Sequence, residues 1–574
     1  MGEKRKPGRK RLSKTILGVA GLVVVVGAVT IWQLVLRPAP PPREVASKEK
    51  MALPLPDKPS IAVLPFVNMS GDKEQEYFSD GMTEDLITDL SKISGLLVIA
   101  RNSTFAYKGK DVKVKQVAEE LGVRYVLEGS VRKAGEEIRI NAQLIDALSG
   151  HHLWAERYDG TMSKIFALQD QITQKIVSAL AVKLTGREKE LVAQKGTDNI
   201  AAYNAYLEGW DHYYRYTPES FAKAVAFLKK AIELDPKYGR AYAALASVHW
   251  TGVTNSALLR GLEMVTEEAR LRSGEYLQKA MKQPTSIAYN VSSQIYLQRR
   301  QHKEAISEVE RGFAIDPNDP GNNAAMGWAL TMAGRPKEGI EYYNKWIRLD
   351  PRGRDRYLTN LSWAHFCMGE MAEAASLAEQ ALRLNPENVG TNFQLAAFYG
   401  LLGRDQEARA ALATYGKKFV IVPLNFIMTF SPPFRDRAVA DHYAEGLLKA
   451  GISGQASGYL PAFEENQLTG ERIKALLFGS TITGNRYVSR SGRVPFVIDW
   501  KKNGECTWRQ PTASYSDHGK SRIKGDMICT QYQNNWWGIE NCATVFKNPS
   551  GTPKTNDEYF WVNEIGFQPF SPVR

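Results

Sequence analysis

The spacing of apolar residues changes several times along the chain, and each change marks a different kind of segment. Residues 15–36 form one apolar run without a charged side chain. After a strand-like apolar run at 61–64, apolar residues recur every three or four positions, which is typical of one face of a helix. These residues are Phe78, Met82, Leu86, Leu90 and Ile93. The pattern therefore predicts a strand followed by an amphipathic helix.

The next hundred residues continue to alternate between strand-like and helix-like patterns. "GLLVIA" at 95–100 predicts a strand, and "VKQVAEELG" at 114–122 predicts a short helix that ends at its glycine. Residues 124–160 predict three strands with turns at "KAGEE" and "DALSGHH", and residues 164–184 predict a long closing helix. Strands mixed with helices in this order indicate an α/β domain.

Carboxylates crowd the loop and the helix that follow the first strand, and they raise the question of a metal site. They are Asp72, Glu74, Glu76, Asp80, Glu84, Asp85 and Asp89. The loop "MSGDKEQEYFSDG" lacks the D-x-[DN]-x-[DN]-G spacing of a calcium loop, and acidic residues near a helix N-terminus are favoured by the helix dipole. We therefore predict no metal site here and an acidic helix face that is exposed to solvent.

From about residue 199 the chain consists of helical patterns separated by short turns that contain proline. Three of these prolines, Pro317, Pro351 and Pro386, are 34 and 35 residues apart. Glycines recur at a second common turn position, as Gly334, Gly369 and Gly403. This period is typical of tetratricopeptide repeats, in which helix pairs bury their apolar faces on neighbouring pairs. We predict about six repeats over residues 199–420, forming an all-α superhelix.

The resemblance to tetratricopeptide repeats implies which residues face the concave side of the superhelix. In that family the first helix of each repeat lines the groove, with its second, fifth, ninth and twelfth repeat positions pointing inward. Counting from the turn prolines gives seven candidates for protein binding: Asn290, Gln294, Trp328, Arg356, Thr359, Trp363 and Phe393. Two interpretations of Trp328 and Trp363 stay open, because large aromatics are typical both of binding hot spots and of packing between helices.

The last part of the chain changes to a strand-like pattern. Residues 421–465 contain a helical bridge, and residues 466–574 hold apolar and aromatic clusters between turns, such as "VPFVIDW" and "WWGIENCATVFKN". This pattern predicts a small antiparallel β domain, either a sheet or a barrel, and the region resembles the lipocalin-like domains of bacterial envelope proteins. Its tryptophans either line a pocket for a small apolar ligand or form the core.

Four cysteines bear on the redox state of the chain. Cys529 and Cys542 lie in adjacent predicted strands on either side of the turn-like "QNNWWGIEN", where facing residues come within disulfide distance. We predict a disulfide between them, with Cys506 as the competing partner. Cys367 lies in a repeat helix and is predicted to stay a free, buried thiol.

Half of the net charge of +12 lies at the N-terminus, where residues 1–14 hold seven Lys or Arg side chains and one Glu. The apolar run at 15–36 that follows has 22 residues, enough to span about 30 Å as a helix. Because Lys and Arg are retained in the cytoplasm, we predict a single-pass inner-membrane protein. A proline-rich stalk at 37–58 would then lead to a periplasmic remainder of the chain. A cleaved signal peptide is the alternative.

Two stretches carry a resemblance to a known domain. "PSIAVLPFVNMSGDKEQEYFSDGMTEDLITDLSKISGLLVIARNSTFAYKG" and "LGVRYVLEGSVRKAGEEIRINAQLIDALSGHHLWAERYDG" are similar to the TolB-type amino-terminal domain, which we place at residues 59–187. In many relatives this domain lies between tetratricopeptide repeats and a class III adenylate cyclase or winged-helix DNA-binding domain. Only 14 residues precede the predicted membrane helix here, so we expect neither of those N-terminal domains.

These patterns predict a multidomain fold with a transmembrane helix, an α/β TolB-type domain, an all-α tetratricopeptide superhelix and a small antiparallel β domain. The sequence has no H-E-x-x-H, C-x-x-C or G-x-S-x-G motif, so we predict no enzyme activity, cofactor or metal, and no nucleic-acid partner. The predicted function is a membrane-anchored envelope scaffold or sensor that binds a protein or peptide in the repeat groove. The alternative is an accessory region, related to class III adenylate cyclases, that has lost its catalytic domain.

Overall fold

The computed structural model describes residues 45–574 except 195, 255, 420, 422, 425–426, 429–431, 456–458, 489–491, 550–555 and 564–565. The chain divides into one unit, Met1–Val45, and a second unit, Ala46–Arg574, to which all the elements named below belong. The predicted basic tail, the apolar run at 15–36 and the first part of the stalk lie outside the described residues.

No helix among the described residues is both long enough and apolar enough to span a membrane. The longest described helix, Pro218–Leu234, has 17 residues and includes Lys223, Lys229 and Lys230, whereas a span needs about 20 mainly apolar residues. This finding contradicts the prediction of a transmembrane helix in a single-pass inner-membrane protein. We retain neither that prediction nor the periplasmic placement derived from it.

Residues 46–193 form an α/β region built on a six-stranded sheet. Its strands are β1 (Ser60–Val63), β2 (Val67–Asn68), β3 (Leu97–Val98), β4 (Tyr125–Ala134), β5 (Glu137–Asp146) and β6 (His151–Thr161). They run in the order β3-β1-β4-β5-β6, with β2 beside β4. Strand β1 is parallel to β3 and β4, whereas β5 is antiparallel to both of its neighbours, β4 and β6.

Helices cover both faces of this sheet, which is why all four side chains of β1 are buried. The helices are α1 (Glu76–Ser91), α2 (Arg101–Thr104), α3 (Val114–Leu121), α4 (Ile165–Ala179) and α5 (Gly186–Ala193). Apolar residues of α1 and α4, such as Phe78, Leu86 and Ile172, belong to the core on one face. Val117 and Leu121 of α3 belong to the core on the other face.

Among the described residues, 200–416 form a stack of six pairs of helices. The pairs are α6 (Ile200–Tyr214) with α7 (Pro218–Leu234), α8 (Gly239–Thr254) with α10 (Thr266–Ala280), α11 (Ser286–Gln298) with α12 (His302–Ile315), α13 (Pro320–Met332) with α14 (Pro336–Leu349), α15 (Arg354–Cys367) with α16 (Met371–Leu384), and α17 (Val389–Leu401) with α18 (Asp405–Gly416). The short helix α9 (Ser256–Gly261) is an insertion between the two helices of the second pair. Gly334, Gly369 and Gly403 have φ angles of 81°, 81° and 71°, a left-handed conformation that ends the first helix of a pair and favours glycine.

The segment after the repeats packs back onto them. Nη1 of Arg300 donates a hydrogen bond to the carbonyl oxygen of Pro432 at 3.2 Å, and Nε2 of His302 donates to that of Pro433 at 2.7 Å. Helix α19 (Arg437–Lys449) then packs on α17. The chain therefore covers part of its own repeat surface.

The last region is a closed barrel of eight strands, which corrects the prediction of a small antiparallel β domain. After helix α20 (Gly470–Leu477), its strands are β7 (Thr481–Val488), β8 (Gly492–Trp500), β9 (Glu505–Gln510), β10 (Tyr515–Lys524), β11 (Met527–Tyr532), β12 (Asn541–Lys547), β13 (Tyr559–Asn563) and β14 (Gly566–Pro572). Antiparallel pairing of β14 with β7 closes the barrel. Closure joins strands from opposite ends of the region and removes the free edges of an open sheet.

Aromatic side chains fill the inside of the barrel. Trp500, Trp508 and Trp561 are buried, and the space left among the described side chains there is about 40 Å³. The tryptophans therefore belong to the packed core of the barrel in this structure. Binding of a small apolar ligand in this region stays a prediction.

A disulfide joins Cys529 and Cys542, which occupy paired positions of β11 and β12. Cys506 is a buried free thiol, and Cys367 is a half-buried free thiol. Glu540 lies close enough to the two bridged sulfur atoms to complete a three-residue cluster, the one group of possible metal ligands found among the described residues. Both sulfur atoms are used by the disulfide, so metal binding there would require its reduction.

Candidate functional site

A cavity of about 310 Å³ lies between the α/β region and the repeats. On one side its walls come from α1, α2, α4 and α5, and on the other from α6, the start of α8, and the turns that precede α11 and α13. The volume is at the lower end of the range for small-molecule sites in proteins. We take this cavity as the candidate functional site.

Helix α1 turns its acidic face towards the interior of the protein. Glu84, Asp85 and Asp89 line the cavity, and Asp85 is only 5% exposed. Asp80, one turn earlier, is 4% exposed and pairs with Lys108. The prediction of a solvent-exposed acidic face is therefore wrong, because other elements of the chain pack on this face of α1 and cover it.

Arg101 joins α2 to the first repeat helix by charge and by ring stacking. Its Nε lies 3.1 Å from Oε2 of Glu84. Its guanidinium group lies between the rings of Phe105 and Tyr214, 3.8 and 3.7 Å from their centroids, an arrangement that attracts a cation to the ring faces. The indole of Trp210 donates a hydrogen bond to Glu84. Burial raises the pKa of Glu84, and the charge of Arg101 opposes that rise.

Asp85 connects α1 to three other helices. Its Oδ2 accepts hydrogen bonds from the hydroxyl of Tyr203 in α6 at 2.5 Å and from Nε2 of Gln169 in α4 at 3.1 Å. Its Oδ1 lies 2.9 Å from Nη2 of Arg240 in α8. Both oxygens of this buried carboxylate are therefore satisfied, as a buried charge requires.

Two further carboxylates line the cavity at the turn between α12 and α13. Oδ2 of Asp316 accepts a hydrogen bond from the hydroxyl of Ser91 at 2.6 Å, and Asp319 accepts from Ser286 and from the amide of Gly321. Burial, together with the neighbouring Asp319, raises the pKa of Asp316 to about 7, and burial also raises the pKa of Asp319. Among the described residues, no lysine or arginine nitrogen lies within 4 Å of either carboxylate. The charge of Lys92 on α1 opposes the rise in the pKa of Asp316. Backbone amides also donate to these carboxylates, from Asn318 to Asp316 and from Asn322 to Asp319.

The α/β region also contacts the next repeat turn, beyond the cavity. Oδ1 of Asp350 accepts a hydrogen bond from the hydroxyl of Ser103 at 2.7 Å, and Nη2 of Arg352 lies 2.7 Å from Oε2 of Glu120. Asp350 occupies the same turn position as Asp316, one repeat further on. In two successive repeat turns, a serine of the α/β region therefore donates a hydrogen bond to the aspartate at the same turn position.

Several of the predicted groove residues are engaged by neighbouring side chains. Oδ1 of Asn290 accepts a hydrogen bond from Nε2 of Gln294 at 2.8 Å, and Gln294 in turn accepts from the indole of Trp250 at 2.6 Å. The hydroxyl of Thr359 donates to the carbonyl oxygen of Asp355 at 3.0 Å. These three candidates are half-buried, so part of their hydrogen-bonding capacity is used within the protein.

Arg356 and Phe393 differ in how accessible they are. The side chain of Arg356 is 53% exposed, and its Nη2 lies 3.3 Å from Oδ2 of Asp350. Phe393 is half-buried, with its ring centroid 4.7 Å from that of Tyr415. Arg356 is therefore the most accessible of the seven predicted residues.

Trp328 and Trp363 are half-buried, and their rings meet edge to face with centroids 6.2 Å apart. Trp363 also contacts Phe398 of α17, Phe434 of the segment before α19, and Tyr443 of α19, with centroid distances of 5.7, 6.0 and 5.1 Å. The indole of Trp363 therefore has neighbours from three different parts of the chain. This environment favours a packing role.

Sequence reasoning singled out Glu84, Asp85 and Asp89 but missed the other residues that line the cavity, because those residues come from distant parts of the chain. Arg101 follows a short strand of the α/β region and Arg240 opens the second repeat, with no motif that links them. Two signals were available: the density of carboxylates along α1 and the aromatic residues of "YLEGWDHYY" in α6. Neither signal indicates by itself that the two helices meet.

Family models match three parts of the chain. The second domain of HilA/YgeH-like transcriptional regulators matches residues 57–175, and tetratricopeptide repeat models match residues 219–238 and 368–419. The prediction of tetratricopeptide repeats is thereby confirmed. The TolB-type assignment is corrected, because the match over the α/β region is to the HilA/YgeH-like domain.

Two curated relatives and one solved structure show the extent of the similarity. A protein of Rhizobium meliloti (strain 1021), provisionally named adenylate cyclase 3, is 51% identical over 220 residues, which cover 37% of this chain and 38% of that protein. The transcriptional regulator HilA of Salmonella typhimurium is 21% identical over 371 residues, 62% of each chain. The chain thus spans less than two thirds of these relatives. The crystal structure of PilW, a type IV pilus biogenesis factor, covers 38% of this chain and 93% of PilW, with 15% identity and a TM-score of 0.29.

Proposed function

We propose that this chain is a non-catalytic scaffold that holds a protein partner on its tetratricopeptide repeats. The observation that carries the proposal is a set of polar contacts by which the α/β region braces successive repeats. These contacts are Asp85–Arg240, Ser91–Asp316, Ser103–Asp350 and Glu120–Arg352. Each repeat of such a stack contacts mainly its neighbours, so a brace along several repeats limits their relative motion. A preorganised surface loses less conformational entropy when a partner binds.

The proposed partner surface is the first-helix face around Arg356. The exposed guanidinium group of this residue suits a carboxylate or a backbone carbonyl of a partner, because its planar donors bind such groups in pairs. The neighbouring candidates on this face are Asn290, Gln294, Thr359 and Phe393. We assign Trp328 and Trp363 to packing beneath this face.

A photo-crosslinking experiment in cells tests this proposal. A photoreactive amino acid replaces Arg356 in the full chain, and a matched variant carries it at Lys337, which is exposed on the second helix of a repeat. We expect a discrete protein adduct from position 356 and none from position 337. The adduct is measured by its shift on denaturing gels and identified by mass spectrometry. Equal labelling at both positions, or no adduct at position 356, would contradict the proposed surface.

A second candidate is an accessory region of an adenylate cyclase-related protein, which the 51% identity to the Rhizobium protein favours. As an accessory region, too, the chain itself would have no catalytic role. We therefore expect the purified full chain to form no cyclic AMP from ATP in the presence of Mg²⁺ or Mn²⁺, measured by chromatography of the products. Cyclic AMP formation that is lost on Glu84→Gln or Asp89→Asn substitution would contradict both non-catalytic candidates.

A further inference from the structure

The cavity between the α/β region and the repeats has an excess of acidic side chains. Among the described residues, six carboxylates line it, against three cationic side chains. Each of the three cations, Lys92, Arg101 and Arg240, is paired with a carboxylate of α1. Asp316 and Asp319 on the opposite wall have no such partner among the described residues. In the part of the chain that the structure describes, the turn between α12 and α13 therefore has two carboxylates without an ion pair of their own. Two lysines lie near it, Lys92 on α1 and Lys58, whose Nζ lies 3.5 Å from Oδ1 of Asn318 in the same turn.

The remaining walls are suited to the apolar part of a ligand. Phe166, Tyr206 and Trp210 contribute aromatic surface, and Ile287 and Ile315 contribute aliphatic surface close in sequence to the acidic turn. Carboxylates combined with aromatic faces are the groups with which proteins bind organic cations. An inorganic cation would satisfy the carboxylates but would leave the apolar walls without a contact.

We propose that this cavity binds a small organic cation, a primary amine or guanidinium compound with a short aliphatic stem, whose charged group contacts Asp316 and Asp319. A volume of about 310 Å³ accommodates a compound of about amino-acid size. Both walls of the cavity contribute to this site, because Ser91 of the α/β region donates a hydrogen bond to Asp316 of the repeats. The inference does not depend on the partner-binding function, since a ligand can occupy the cavity whether or not the repeats hold a protein.

Calorimetric titration of the full chain at pH 8 tests the proposal with four probes. The cationic probes are 1,4-diaminobutane and agmatine, the neutral isostere is 1,4-butanediol, and the inorganic cation is Mg²⁺. We expect saturable binding of at least one cationic probe, and affinity at least tenfold lower for 1,4-butanediol and Mg²⁺.

Matched variants locate the binding site. Asp316→Asn removes one carboxylate from the cavity and is expected to weaken binding of the cationic probe by about tenfold or more. Asp350→Asn is the control, because Asp350 occupies the equivalent turn and accepts a hydrogen bond from a serine of the α/β region, but does not line the cavity. The affinity of the Asp350→Asn chain for the cationic probe is expected to stay within about twofold of that of the parent chain.

The pH dependence of binding gives a second test of whether Asp316 contacts the cationic probe. The carboxyl group of Asp316, which faces Asp319 on its own turn and Lys92 on α1, has a pKa raised to about 7 by burial and by Asp319. It is therefore mostly protonated at pH 6 and mostly ionised at pH 8, so the affinity should rise by about tenfold over this interval. The Asp316→Asn chain should lose most of this dependence.

Three results would overturn the inference. They are absence of binding by both cationic probes, tighter binding of Mg²⁺ or 1,4-butanediol than of either amine, and equal losses of affinity in the Asp316→Asn and Asp350→Asn chains. None of these results bears on photo-crosslinking at position 356, so failure of the ligand site and failure of the scaffold function are distinguishable.

Discussion

Replacement of Trp363 by Ala is expected to lower the free energy of unfolding by about 3–5 kcal/mol, the range for removal of a large aromatic from a packed site. The indole lies among Phe398, Phe434 and Tyr443, so its removal leaves a gap that backbone elements from three places would have to close. Ring contacts of this kind add to the effect of burial. Urea unfolding followed by circular dichroism measures the change.

An exposed tryptophan provides the matched control for this substitution. Trp537 in the barrel is 42% exposed, and Trp537→Ala is expected to change the free energy of unfolding by only about 0.5 kcal/mol or less. If Trp363→Ala instead retained its stability and abolished the adduct formed at position 356, Trp363 would be a binding hot spot, and its assignment to packing would be wrong.

Asp85→Ala is expected to lower the free energy of unfolding by a similar amount, about 3–5 kcal/mol, because it removes a buried carboxylate that is the ion-pair partner of the half-buried Arg240. Arg240 would lose its ion pair and keep its contact with the ring of Tyr206, 4.8 Å from the centroid. Tyr203 and Gln169 would each lose an acceptor. Since these residues belong to α4, α6 and α8, the loss should loosen the contact between the α/β region and the repeats. Limited proteolysis of the parent and variant chains measures that loosening.

A surface ion pair of the same chain is the control for Asp85. Asp159 lies 2.6 Å from Nε of Arg139, and both side chains are nearly half exposed. Asp159→Ala is expected to leave the free energy of unfolding nearly unchanged, because solvent screens exposed pairs. In the double substitution of Asp85 and Arg240 by Ala, the cost should be smaller than the sum of the two single costs, since the residues act on each other directly. Additive costs would show that the pair is not energetically coupled.

Features that repeat locally along the chain were readable from the sequence. The 34- and 35-residue spacing of Pro317, Pro351 and Pro386 predicted the repeats, and the turn glycines adopt the left-handed conformation that such turns need. A helix pair is a local unit, joined by a short turn and packed on the pair beside it. Its residue pattern therefore contains most of the information that specifies it. The facing positions of Cys529 and Cys542 are local in the same sense, because they lie in neighbouring strands.

Features that depend on distant residues were decided only by the tertiary structure. The amphipathic pattern of α1 separates a polar face from an apolar face, but a carboxylate on the polar face is satisfied equally by water or by a buried cation. The cation for Asp85 is Arg240, which lies 155 residues further along the chain. Phe434 covers Trp363, and β14 closes the barrel by pairing with β7. In each case the local sequence specifies the element, whereas the partner that gives the element its role is brought to it only when the whole chain folds.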